Sequence, residues 1–351
     1  MASAPAVGKS PQESGLSYVP PEYVHPSIQK RDHIPQAYIP VIDIAALRNG
    51  SGEERSRIIQ EIKEACHRWG FFQIVNHGVT EELLENALSV CGQFFASPPE
   101  VRERYLSTNV FSPTRYSTGL KTASDAVQFW RMFLKHYGHP VSKWAETWPD
   151  TPSDYREKMG KFSEEFKRVS LDVISAVVES LGINPTNLIE KFKEGMDVVT
   201  VNCYPPCPQP ELALGLPPHT DFGCLTILHQ SDHGLEIYDE EDKIWKAVPA
   251  VPGALQVNIG DQFEGYSNGL YKSVLHRATL NNVKTRVSIA VLYSLAVDEQ
   301  VHTAEELIDD EHPRKYKPSC LREFLNFLSQ TDVASTGKSY GQTLKIDFEE
   351  K

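Results

Sequence analysis

The stretch HTDFGCLTILHQSDHGLEIYDEEDKIWKAVPAVPGALQVNI, residues 219–259, decides the fold. Four short runs rich in Val, Ile, Leu and Tyr lie within it: Leu225–His229, Leu235–Tyr238, Trp245–Val248 and Leu255–Ile259. Asp239-Glu240-Glu241 and Pro252-Gly253 punctuate them. The pattern continues outward, with Val198–Tyr204 upstream and Val274–Leu280 and Val287–Ser294 downstream. Pro205-Pro206, Pro217-Pro218, Asn268-Gly269 and Asn281-Asn282 separate those runs. Many short strands at even spacing predict a sandwich or barrel. A jelly roll fits, with a site in its open mouth. The predicted fold class is α+β: a double-stranded β-helix (jelly-roll) core with flanking N-terminal and C-terminal helices.

The rest of the chain supplies those flanks. Residues 1–37 are rich in Pro, Ser and charge and read as an extended or partly ordered arm. Residues 38–194 read as a mostly helical region packing on the core. Ile39–Asp43 and Phe71–Val75 are strand-like, while Glu53–Trp69, Glu81–Phe95 and Ser153–Leu181 carry helical spacing. A shorter helix spans about Asn184–Glu194, and residues 107–126 read as a polar loop near a site. The jelly-roll domain is placed at 195–300. Residues 301–351 form a C-terminal helical segment, with a helix over Cys320–Leu328, and a tail.

His219-Thr220-Asp221 places an imidazole and a carboxylate at i and i+2, which share one face of a strand. His276 follows in Ser273-Val274-Leu275-His276-Arg277. Two imidazoles and one carboxylate form the facial triad of non-haem Fe(II) oxygenases, which leaves positions open for other ligands. Arg286-Val287-Ser288 is a second i, i+2 pair. A cation and a hydroxyl near such a metal suit a dicarboxylate that chelates iron at one end and needs its far carboxylate held. That points to a 2-oxoglutarate-dependent oxygenase. Asn202 and Tyr204 share a strand face and can serve the same co-substrate, with Asn202 alternatively bonding a metal ligand.

Each feature has a plainer counterpart. His-x-Asp alone usually marks a surface turn, and it is the further histidine, Arg286, Ser288, Asn202 and Tyr204 that lift it above coincidence. Arg286 as a surface cation conflicts with its strand of Val287, Ile289, Ala290, Val291 and Leu292. Asp261 reads as a backbone-capping residue and not a fourth ligand, within a turn and hairpin marked by Gly260-Asp261 and Asn268-Gly269. His67, His77, His136, His229 and His233 read as structural or exposed, and Trp69, Phe71 and Phe72 as core. Two rival functions use the same residues. A zinc-dependent hydrolase fits the triad but gives no role to Arg286. A non-catalytic small-molecule sensor would tolerate loss of the triad.

Composition narrows the classes. A formal net charge of −12 argues against nucleic acid and anionic membranes as partners. No run approaches a membrane span, and the N-terminus lacks the basic and apolar regions of a secretory signal. A cytoplasmic monomer is expected. The six cysteines show no CxxC spacing and read as buried free thiols. Pro205-Pro206 between Cys203 and Cys207 argues against a metal pair there.

The chain resembles the plant-type 2-oxoglutarate/Fe(II)-dependent dioxygenases over nearly its whole length. Trp69-Gly70-Phe71-Phe72-Gln73-Ile74-Val75-Asn76-His77-Gly78-Val79 is similar to that family's N-terminal signature. Asn202-Cys203-Tyr204-Pro205-Pro206-Cys207-Pro208 is similar to its Asn-Tyr-Tyr-Pro-x-Cys segment, with Cys203 where tyrosine is usual. Gly269–Ser273, leading to His276-Arg277, completes the pattern with the His219 and Arg286 motifs. The resemblance implies iron on His219, Asp221 and His276, and 2-oxoglutarate on Arg286 and Ser288 with Tyr204 and Asn202 alongside. It implies O2 and a small molecule as substrates, release of succinate and CO2, and support of activity by ascorbate.

The resemblance is nearest the flavonoid-oxidising branch (flavone synthase I and flavanone hydroxylase-like), so flavanone desaturation or hydroxylation is the first expectation. Gibberellins, other terpenoids and phenolic acids are alternatives. Residues 125–135 are similar to the family's substrate-flanking segment, which implies Phe133 and Lys135 near the pocket. Phe222, Tyr238, Leu292 and Ser294 complete the candidate lining. Phe133, Phe222 and Tyr238 are expected to stack on a flat substrate, though each equally suits a packed barrel.

Overall fold

The computed structural model describes residues 13, 15–24, 34–118, 128–331 and 339–346. Its strands are β1 (Val41–Asp43), β2 (Phe71–Val75), β3 (Thr114–Ser117), β4 (Met132–His139), β5 (Met196–Tyr204) and β6 (Leu216–His219). They continue as β7 (Leu225–Gln230), β8 (Leu235–Asp239), β9 (Ile244–Ala247), β10 (Leu255–Ile259), β11 (His276–Ala278) and β12 (Arg286–Ser294). One sheet has eight strands in the order β1-β2-β10-β7-β12-β5-β4-β3, and the other has four, β6-β11-β8-β9. Together they form the jelly-roll core.

Register sets what each face carries. On β12, Arg286 pairs with Tyr204 and Ser288 with Asn202 of β5, so the four share one face. Val287, Ile289 and Val291 alternate with them, opposite Cys203, Val201 and Val199, and join the main hydrophobic core. The eight-stranded sheet is therefore apolar toward the helices and polar toward the mouth.

The helices that cover the apolar face are amphipathic. Helix Gly52–Arg68 begins at a capping box, Ser51 with Glu54, and buries Ile58, Ile62, Ala65 and Cys66 at helical spacing. Helix Glu81–Ala96 turns Leu84, Ala87, Val90, Cys91, Phe94 and Phe95 inward. The long helix Tyr155–Ser180 buries Met159, Phe162, Phe166, Val169 and Val173. Each fully buried large side chain contributes about 1.5–3 kcal/mol relative to exposure. Part of the N-terminal arm is docked: Tyr23 packs edge-on against Trp130 with centroids 5.5 Å apart, and buried Arg102 pairs with Glu13.

The structure departs from the sequence reading in three places. Pro217-Pro218 lies inside β6, which borders only β11, so its missing N–H donors cost no ladder bond on the open side. The polar stretch 107–126 contains β3, and β4 follows; residues 119–127 lie outside the described residues. The hairpin expected after Gly260 is a helix, Asp261–Tyr266, followed by Asn268 and Gly269 at φ 53° and 81°. All six cysteines are buried and free. Among the described residues no helix is long and apolar enough to cross a membrane.

Candidate active site

β6 and β11 are neighbours, and His219 pairs directly with His276. Their rings lie 4.2 Å apart. His219 Nδ1 meets the Pro217 carbonyl at 2.8 Å, and His276 Nδ1 meets the Val274 carbonyl at 3.0 Å. A carbonyl only accepts, so each Nδ1 carries the proton and each Nε2 presents a lone pair. Both Nε2 atoms stand 3.7 Å from Asp221 Oδ1. The three ligand atoms fall within 4.8 Å of one another.

Asp221 sits just past the end of β6 in a loop held from two sides. Asp261 N–H donates to the Asp221 carbonyl at 2.8 Å, and Gln262 N–H to the Phe222 carbonyl at 3.1 Å. The helix Asp261–Tyr266 thus anchors the loop by its first amides. Gly260 permits this approach, since a Cβ there would lie 2.0 Å from the Gly223 carbonyl oxygen. Thr226 Oγ1 and Asn258 Nδ2 donate to Asp221 Oδ2 at 2.7 and 2.9 Å, leaving Oδ1 toward the histidines. Burial alone would raise the Asp221 carboxyl, but His276, His219, Asn258 and Thr226 together hold it below the usual carboxylate range. Burial and the neighbouring His276 push the His219 imidazole down to about 4, so it is neutral at pH 7.

Two imidazole Nε2 atoms and one carboxylate fit a divalent first-row metal with sites to spare, and ferrous iron is the usual occupant. Asp261 stands apart from this cluster. It neither ligates nor caps, and instead accepts a bond from Thr220 Oγ1 at 3.1 Å, with its pKa raised by burial to about 7. Partners that hold a metal's ligand typically carry ten- to a hundredfold in metal affinity. Thr226→Val keeps the shape and removes one of the two donors to Asp221 Oδ2. Iron titration is expected to show roughly tenfold or greater weakening in that variant, with thermal unfolding little changed.

On β12, in the eight-stranded sheet, lies Arg286, 3% exposed. Its Nε donates to the Asp232 carbonyl at 3.1 Å and its Nη2 to Gln230 Oε1 at 2.5 Å. Its guanidinium lies over the Tyr204 ring at 4.9 Å. Nη1 is buried with no partner among the described residues. A buried, singly orphaned guanidinium nitrogen beside Ser288 and Tyr204 is what a ligand carboxylate would complete. The residues therefore fit 2-oxoglutarate as well as iron. Asn202 accepts from Arg131 Nη1 at 2.7 Å, which ties the strand face to the neighbouring pocket.

That pocket opens immediately beyond Asp221 and encloses about 200 Å³. Phe133, Lys135, Phe222, Leu292 and Ser294 line it, together with Val198, Thr200 and Tyr137. The C-terminal helix Leu321–Gln330 covers it with Leu321, Phe324, Leu325 and Leu328. Phe222 stacks on Phe324 with centroids 4.4 Å apart and planes 9° from parallel.

Tyr238 does not line this pocket. His276 pairs with Ile237, so Ile237 shares the face of the triad and Tyr238 points the other way. It packs against Trp245 at 5.4 Å, on the face of the buried Arg277–Glu236 pair. Phe133 also differs from a free stacking platform, because Arg115 and Arg131 both lie over its ring, at 4.9 and 5.0 Å. The sequence reading passed over both arginines and the aromatic cover from Phe324. Arg131 immediately precedes β4, two residues before Phe133, and lines the pocket beside it.

Comparisons with known proteins agree with this geometry. The family model described as the 2OG-Fe(II) oxygenase superfamily matches residues 196–295. A second, non-haem dioxygenase in morphine synthesis N-terminal, matches residues 39–153. Flavanone 3-dioxygenase 3 of Oryza sativa subsp. japonica is 40% identical over 83% of this chain and 88% of its own length. Protein DOWNY MILDEW RESISTANCE 6 of Arabidopsis thaliana is 36% identical over 87% of this chain and 90% of its own. Among solved structures, JOX2 in complex with 2OG, Fe and JA superimposes with a TM-score of 0.79 at 33% identity, covering 90% of this chain and 91% of that one.

Proposed function

The chain belongs to the 2OG-Fe(II) oxygenase superfamily as a plant-type dioxygenase, and on that premise we propose that it oxidises a C–H bond of a flavonoid, by desaturation or hydroxylation of a flavanone. The activity class, with iron and 2-oxoglutarate, follows from membership. The substrate rests on the aromatic lining beside Asp221, and the flavanone dioxygenase among its relatives is in keeping with it.

In this reading His219, Asp221 and His276 hold iron, and Arg286 and Ser288 hold the distal carboxylate of 2-oxoglutarate, with Tyr204 closing over the Arg286 guanidinium. Iron, 2-oxoglutarate and O2 supply the oxidising power, and 2-oxoglutarate leaves as succinate and CO2. The protein's own residues bind, orient and exclude water. Thr226 and Asn258 fix the Asp221 carboxylate, and the two backbone carbonyls fix the histidine tautomers. Phe222, Phe133 and Leu292 with the C-terminal helix keep the pocket dry and set which C–H bond faces the metal. The division into a jelly-roll domain at 195–300 with flanking regions at 38–194 and 301–351, and a monomeric state, belong to the same proposal.

Ring truncation tests the substrate assignment. An aromatic contact adds roughly 0.5–1.5 kcal/mol beyond its area, so Phe222→Leu and Phe133→Leu are expected to weaken flavanone binding by about tenfold and to shift product ratios. Tyr238→Ala, on the opposite face, is expected to leave both unchanged. Products are identified by mass spectrometry from a panel of flavanones, phenolic acids and terpenoid acids. Succinate release with an acid of that panel and with no flavonoid would reject the flavonoid assignment and leave the oxygenase chemistry standing.

A further inference from the structure

Among the described residues, one wall of the pocket carries three cations and no counter-charge. Arg115 pairs with Lys135 across β3 and β4, Arg131 lies just before β4, and all three line the pocket. Among the described residues no Asp or Glu lines the pocket. Lys135 is buried and, among the described residues, donates only to carbonyls, at 2.8 Å to Ser112 and 3.4 Å to Val110, with its ammonium over the Tyr137 ring. Arg131 spends one nitrogen on Asn202, and its buried Nε has no partner among the described residues. The Arg115 side chain makes no hydrogen bond or ion pair among the described residues, and its Nε is likewise buried and unpartnered.

Charges in such a place are normally paired. Here they repel one another. Burial, reinforced by Arg115, pushes the Lys135 ammonium down to about 7, and burial with Arg131 pushes Arg115 down to about 10. Arg286 already serves the co-substrate end from β12, so this second cationic wall is surplus to 2-oxoglutarate. An apolar pocket with two orphaned guanidinium nitrogens on one side suits a ligand that is flat and greasy at one end and anionic at the other.

We propose that the primary substrate binds as an oxygen anion, a carboxylate or an ionised phenol, held by Arg115 and Arg131 beside Phe133. The proposal rests on the reading of this pocket as the primary-substrate site. Phe133 is then a spacer that keeps two guanidiniums parted and aimed, and Arg131 links the anion to Asn202 on the co-substrate strand.

The test is equilibrium binding to the full chain loaded with 2-oxoglutarate and Mn(II), so that acids are excluded from the Arg286 end. Two matched pairs are the probes: cinnamate with methyl cinnamate, and a 7-hydroxyflavanone with its 7-methoxy counterpart. The anionic member of at least one pair is expected to bind about tenfold tighter or more, the usual scale of a charge-assisted bond. Which pair shows the preference identifies the carboxylate or the phenolate. Arg115→Gln is expected to lower that preference, Arg115→Lys to keep part of it, and the double variant Arg115→Gln, Arg131→Gln to erase it. Equal binding within both pairs, or a preference unchanged in the double variant, overturns the proposal. Flavanone turnover with equal binding would sink this inference alone. Preference for cinnamate with no flavonoid oxidised would sink the flavonoid assignment and leave the anion site standing.

Discussion

Asp221→Ala is expected to lose bound iron and turnover together while the fold persists. Asp221 is the single carboxylate of the cluster, and its Oδ1 stands 3.7 Å from both imidazole Nε2 atoms. Removing it leaves two imidazole nitrogens and no charge to balance a divalent ion. His219→Ala and His276→Ala each leave one imidazole and the carboxylate, and are expected to fail as well. The fold should survive, because the loop is held by its backbone: the amides of Asp261 and Gln262 bond the carbonyls of Asp221 and Phe222. Metal analysis after gel filtration, circular dichroism and succinate release check the three statements. A variant that keeps one iron per chain and full activity would refute the ligand set.

The second large effect concerns Arg286. It is buried on the polar face of β12, and three of its contacts are internal: Asp232, Gln230 and the Tyr204 ring. The unpartnered Nη1 is the position left for a ligand. Removing one partner of a buried charge pair costs about 3–5 kcal/mol. Arg286→Ala is therefore expected to raise the KM for 2-oxoglutarate roughly a hundred- to several-thousandfold. Arg286→Lys keeps the charge but loses the planar fork, and about a tenfold rise is expected. The KM for the primary substrate should move much less in the lysine variant, since Arg286 lies outside the pocket lining. An unchanged KM for 2-oxoglutarate in both variants would remove Arg286 from the co-substrate site.

The strands of the core were legible where alternation was clean. β10 and β12 set Val, Ile or Leu against polar residues with period two, β5 and β7 are runs rich in the same residues, and the structure places strands there. β4 was not read because its pocket face carries Lys135 and its other face His136, which mask an apolar stripe. The start of β6 is masked in the sequence because its two prolines look like punctuation, and only its edge position explains them.

The separate pieces of the site were legible for a similar reason. Arg286 with Ser288 and Asn202 with Tyr204 are i, i+2 pairs on strands, so sequence alone puts each pair on one face. His219 and Asp221 are not such a pair, because β6 ends at His219 and Asp221 reaches the histidines from the loop held by the Asp261 and Gln262 amides. What sequence does not carry is register between strands. Tyr238 was misplaced by one residue because β11 has three residues, bulges against β6, and sets Ile237 opposite His276. The contact of Arg115 with Phe133 likewise joins two strands whose pairing no local pattern announces. Phe324 comes from a helix far along the chain, and its stacking on Phe222 is a tertiary fact.

The central claim is that these residues couple 2-oxoglutarate decarboxylation to oxidation of a small molecule. The most direct measurement follows succinate and oxidised product in one reaction with Fe(II), O2, 2-oxoglutarate and the best substrate of the panel. Succinate and product are expected to rise together in near-equal amounts for the unaltered chain, and both to vanish in Asp221→Ala. Oxidised product formed without 2-oxoglutarate, or no substrate-dependent succinate from any member of the panel, would contradict the account.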